Sequence, residues 1–91
     1  MTGGNGLTPK DMGRKSMTLD AVSFNVAMRI AGFVNMDAAE RGRLSGLGLR
    51  CGALVTKLMP TPLRDPVECL VGPQLLALER RLLARIRVEA A

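Results

Sequence analysis

The chain has no histidine, no tryptophan and no tyrosine, and its only aromatic residues are Phe24 and Phe33. Without histidine there is no Ser/His/Asp triad, no Cys/His dyad and no imidazole acid–base catalysis, and nearly all zinc sites are excluded. Cysteine is scarce. Cys51 and Cys69 lie far apart and have no companion ligands, so they are expected to be buried, reduced thiols behaving as small hydrophobes. A disulfide clamping the second and third predicted helices is the alternative for an exported protein, and a redox or metal role is a third. Long apolar runs are missing as well. The stretches 19–34 and 44–59 are shorter than a membrane span and carry Asp20 and Arg29, and Arg50 and Lys57, respectively. The first sixteen residues have no apolar signal-peptide core, and Thr2 does not fit a myristoylation pattern. A cytoplasmic location is expected.

Catalytic groupings are also absent. The carboxylates are few and fall mostly at helix-cap positions. GLGLRCG at 46–52 is glycine-rich but follows no strand pattern, so it does not read as a phosphate loop. No enzyme activity and no cofactor are expected.

What is present is apolar and basic. Hydrophobic residues make up 47% of the 91 residues, which argues for a folded core. That is a large apolar share for one small body to hide, and association with a partner would relieve it. The apolar residues are mainly Leu, Ala, Val and Met, a set weighted toward helix. Ten Arg and three Lys against eight acidic residues give a formal charge of +5, which attracts nucleic acid, anionic lipid or an acidic protein face.

The periodicity predicts an all-α fold. It is a three-helix small bundle, four-helix if the last helix is kinked, dimeric and preceded by a disordered Gly-rich tail at 1–16. The single domain, 17–91, carries helices at about 18–34, 38–59 and 66–89, with a break near 72–73. In the first, Leu19, Val22, Val26, Ile30 and Phe33 recur at helical spacing behind Thr18 and Asp20. The second opens on Asp37 and Glu40, spaced as a capping box. Its expected packing seam is Leu44, Leu47, Cys51, Leu54 and Leu58, widened by Val55 and Met59. Ser45, Gly48, Gly52 and Thr56 align as a small-residue stripe that would admit a close neighbour. The alternative is that the glycines split this segment near 46–48. The prolines at 60, 62 and 66 form a rigid connector. Asp65-Pro66-Val67-Glu68 then reads as the start of the third helix, with Leu75, Leu78, Leu82 and Ile86 on its apolar face.

Contact with another protein, including a second copy of the chain, is the leading function: a homodimeric helical regulator or adaptor. Its interface would be that seam and the face of Leu75, Leu78, Leu82 and Ile86, together with Gly48 and Gly52. The alternative is nucleic-acid binding through the basic face of Arg43, Arg50, Lys57, Arg80, Arg81, Arg85 and Arg87, by phosphate contact rather than base reading. A third reading is a cationic membrane-active peptide. No motif singles out a family.

Overall fold

A computed structural model describes residues 17–60, 62 and 64–91. The expected tail at 1–16 lies outside the described residues. The described residues form a six-stranded antiparallel sheet with two short helices, not a helical bundle. Strand β1 is Met17–Thr18, followed by a 3₁₀ turn at Leu19–Ala21. β2 is Ala27–Phe33, α1 is Ala38–Gly46, β3 is Leu54–Pro60 and β4 is Val67–Val71. β5 is Gln74–Leu78, α2 is Arg80–Leu83 and β6 is Ile86–Ala90. The spatial order is β1-β6-β2-β3-β4-β5. β2 to β5 form a meander, and β6 returns to lie between β1 and β2.

The predicted helix at 18–34 is overturned by β1, the turn and β2. Within β2, Met28 and Ile30 are buried while Ala27 and Arg29 face solvent, a period of two that runs as far as the bulge between Ile30 and Gly32. Pairing with β3 on one side and β6 on the other satisfies its backbone, and this outweighs the helix preference of Ala and Met. The predicted helix at 66–89 becomes β4, β5, α2 and β6. Val67, Cys69 and Val71 point inward from β4, and Ile86 and Val88 point inward from β6. Gly72 and Pro73 form the two-residue turn of the β4–β5 hairpin, with Val71 opposite Gln74. Gly72 has φ +56, and the proline ring holds the next φ near −65°, so of the two hairpin turns only type II′ fits.

The predicted helix at 38–59 holds for its first nine residues. Asp37 caps it, accepting from the Glu40 N–H at 2.8 Å. It ends in a Schellman motif. The Gly48 N–H reaches the Ser45 carbonyl and the Leu49 N–H reaches the Leu44 carbonyl, both at 2.9 Å. Gly48 sits at φ +94, and Leu49 turns down into the core with Leu44 packed nearby. The close-packing glycine stripe therefore does not form. Gly48 and Gly52 (φ +92) are turn residues, and Thr56 lies on β3.

One core fills the concave side of the sheet. Leu19, Ile30, Leu49, Val55, Val67, Cys69, Leu83, Ile86 and Val88 are fully buried in it. The 3₁₀ turn after β1 contacts α2 after β5, which curls the two sheet edges toward each other. Of the two cysteines only Cys69 is buried. Cys51 is exposed, and both are free thiols, so no disulfide forms.

Candidate functional site

Side chains alternate across a strand, so a register fixes which residues share a face. On the convex face Thr56 of β3 lies opposite Leu70 of β4, and Leu70 lies opposite Leu75 of β5. Leu54 stands next along β3 from Thr56 on that face, and Met59 flanks the row beyond a bulge at Leu58. Leu54, Met59, Leu70 and Leu75 are 43%, 58%, 38% and 59% exposed. Isolated exposed leucines are ordinary, but here three strands place them side by side. Arg29 opposite Leu54 and Glu68 opposite Met59 give the row a charged rim.

A groove of about 570 Å³ opens at one end of this face, between the 50–53 turn and the β4–β5 hairpin. Arg50, Cys51, Leu54, Pro73 and Gln74 are among its lining residues. The turn is tied to β2: the Gly52 N–H donates to the Ile30 carbonyl at 2.8 Å, and Arg29 Nη1 donates to the Gly52 carbonyl at 2.9 Å. The Cys51 thiol lies 3.6 Å from the Ala31 carbonyl, at a bulge in β2.

The expected seam is dispersed. Val55, Leu78 and Ile86 lie in the core, with Leu44 and Leu82 packed against it. Leu47, Cys51, Gly52, Leu54 and Leu75 are exposed, and Gly48 and Leu58 are half-buried. The structure gathers Val55, Leu78 and Ile86 in the core, and Gly48, Cys51, Gly52 and Leu54 in the groove just described.

The expected basic face is dispersed too. Arg43, Arg81 and Arg85 meet in a smaller groove of about 250 Å³ between α1 and α2, but Glu40 and Glu79 share it. Arg85 is committed internally. It bonds the Glu40 carboxylate at 3.2 Å and the Val34 carbonyl at 3.2 Å, and also reaches the Asn35 carbonyl. Arg80 Nε donates to the Arg64 carbonyl. Arg87 lies over Gly32 across the β2–β6 ladder. Arg50 stands apart, at the rim of the larger groove.

Lys57 is buried at 4% exposure on the inward side of β3. Its Nζ donates to the Asp20 carbonyl at 3.3 Å and sits 4.8 Å from the Phe24 ring centroid. Its carbonyl accepts from the Asn25 N–H at 2.6 Å, so one residue holds the 20–25 segment to the sheet twice. Burial lowers its pKa, Asp20 and Cys69 partly restore it, and Arg80 lowers it further. Cys69, its partner across the β3–β4 ladder, is pushed up to about 11 by burial, with Lys57 opposing. The sequence signal for the inward position of Lys57 is period two: Val55 and Lys57 alternate with outward Leu54 and Thr56.

Among the described residues, no group of three His, Cys, Asp or Glu side chains gathers to hold a metal ion. Nor is any described helix long and apolar enough to cross a membrane.

The fold is shared with solved structures. FeoA from Chlorobium tepidum is 30% identical, with a TM-score of 0.73 over 81% of this chain and 70% of that one. Iron(II) transport protein A from Clostridium thermocellum is 27% identical, with a TM-score of 0.71 over 82% of this chain and 46% of that one. FeoA from Stenotrophomonas maltophilia, complexed with zinc, shares the fold at 24% identity and a TM-score of 0.66, covering 80% of this chain and 89% of that one. It is described as a procaryotic SH3-domain protein and a candidate activating factor for bacterial ferrous iron transport. No curated protein matches. The six-stranded architecture is SH3-like, and because the FeoA domain pattern matches residues 17–90, the chain belongs to the FeoA domain family.

Proposed function

We propose that the chain is a non-catalytic contact domain of ferrous iron transport, and that it binds a protein of the transport machinery through the convex face of β3, β4 and β5. One observation carries this reading: the contiguous exposed row of Leu54, Leu70 and Leu75, fixed by the strand register. Apolar patches rimmed by polar groups mark protein contact sites. The relatives support the process, since one is named an iron(II) transport protein and another is described as a candidate activating factor for ferrous iron transport. The dispersal of the seven basic residues weighs against a phosphate-tracking row.

Ferrous iron uptake tests the reading in host cells whose own copy is replaced by Leu70→Asp. An aspartate at the centre of a protein contact is expected to weaken binding about tenfold or more. Uptake should fall while the purified variant keeps its circular dichroism spectrum and melting temperature. Unchanged uptake with a normally folded variant would sink the proposal.

A further inference from the structure

The outer edge of β5 bears on how the partner is held. β5 pairs with β4 alone, at the end of the sheet order. In a hairpin with a two-residue turn, the residues flanking the turn form a hydrogen-bonded pair, and bonded and non-bonded pairs then alternate. Val71 and Gln74 flank the turn, so Gln74, Leu76 and Leu78 spend their backbone groups on β4. Leu75 and Ala77 point theirs the other way. Among the described residues no other hydrogen bond reaches the backbone of Leu75 or Ala77. Gln74, Leu75 and Ala77 are all exposed.

Edge strands are usually blunted by charge, proline or a bulge. β5 reads Gln-Leu-Leu-Ala-Leu and has none of these. Its two ends, in contrast, are basic. Arg50 shares the groove with Gln74 at one end and has no carboxylate partner among the described residues. Arg80 and Arg81 follow the other end, with Arg64 held beside Arg80. Glu79 and Arg81 pair with each other, and Asp65 accepts from the Arg80 N–H. Arg64 and Arg80 are therefore the arginines there without a carboxylate ion-pair partner among the described residues, while Glu68 stands across from Ala77 on β4.

We propose that β5 is completed by strand addition: an extended apolar segment of a protein partner, with acidic residues at its flanks, pairs with Leu75 and Ala77. This rests on the protein-contact reading above and specifies its geometry. Main-chain bonds supply the pairing, Leu75 and the convex row receive alternate side chains, and the arginines at both ends select acidic flanks.

The test uses the isotope-labelled full chain and three synthetic peptides. The first is Glu-Asp-Val-Thr-Val-Thr-Val-Asp-Glu, with blocked ends. The second carries lysine at both flanks instead of the acids, and the third has a central proline. The first peptide should shift the amide signals of β5 and slow hydrogen exchange at Leu75 and Ala77. Basic flanks, a central proline, or the exposed-site change Arg50→Glu should each weaken binding about tenfold. Ala77→Pro should abolish the protection, and Arg50→Glu provides a second reading if the proline variant fails to fold. Four outcomes overturn the proposal: no β5 response at about 1 mM peptide, equal binding of acidic and basic peptides, pairing of β5 with a second copy, or occupation of the edge by residues 1–16 of the same chain. Loss of iron uptake in Leu70→Asp together with a silent β5 edge would keep the protein-contact reading and overturn strand addition alone.

Discussion

Gly42 and Gly48 should respond to alanine with opposite signs. Gly42 lies inside α1 with nothing near the position of an added Cβ. Alanine there removes backbone entropy from the unfolded chain and should stabilise by about 0.5–1 kcal/mol. Gly48 sits at φ +94, where a Cβ meets its own backbone, so Gly48→Ala should cost about 1–2 kcal/mol. Urea unfolding of the two variants checks both signs. The buried pair on β3 and β4 makes a pH prediction. The Cys69 thiol titrates at about 11 in the folded chain against an ordinary 9.0. Between those values the unfolded chain gives up the thiol proton and the folded chain keeps it, so this group's contribution falls as pH rises through 9 to 11. Lys57 acts in the opposite sense. Its folded pKa lies below the ordinary 10.5, so its contribution improves with pH in the window beneath 10.5. Cys69→Ala removes the falling part and also the support that Cys69 gives the Lys57 charge, and both changes act on the gap in the same direction. The stability gap between wild type and variant should therefore narrow as urea unfolding is repeated from about pH 8.5 to about pH 11; a constant gap would refute the assignment.

At the scale of elements, caps were legible and periods were not. Asp37 caps α1 as its spacing with Glu40 indicates, and the helix stops at the glycines that were the alternative break. Asp65 also caps a helix, but a distant one. Its carboxylate accepts from the N–H of Arg80, the first residue of α2, at 2.9 Å. A sequence shows that an aspartate is suited to capping, not which helix it will meet. Asp65→Ala should cost about 1 kcal/mol in thermal or urea unfolding and speed amide exchange at Arg80, whereas an unchanged Arg80 amide would refute this capping role. The strands escaped notice because Leu, Ala and Met fill both of their faces, and Leu75, Leu78, Leu82 and Ile86 happen to fall at helical spacing across a strand, a helix and another strand. The clean alternation was confined to short runs, Val67-Cys69-Val71 and Ile86-Val88. Such runs become strands only when non-local partners complete the ladder, and composition does not display those partners.

For the whole molecule, the composition posed the right question about apolar surface but placed the answer on the wrong element. The excess apolar surface is a row on the back of a sheet, not a seam along a helix. The glycines expected to admit a neighbouring helix instead turn the chain beside that row. If the row awaits a partner, it contributes little to the fold of the isolated chain. Leu75→Lys should therefore change unfolding free energy by no more than about 0.5 kcal/mol, as for ordinary surface sites. Ile86→Ala, in the fully buried core, should cost about 2–5 kcal/mol, a large part of what a domain of this size possesses. Urea unfolding of the two variants side by side separates the alternatives. Comparable losses would mean that the leucine row is part of the folding core. A silent Leu75→Lys beside a damaging Ile86→Ala would mean that the exposed leucines are held on the surface by the register of β3, β4 and β5, and that their cost in water is borne for the sake of contact.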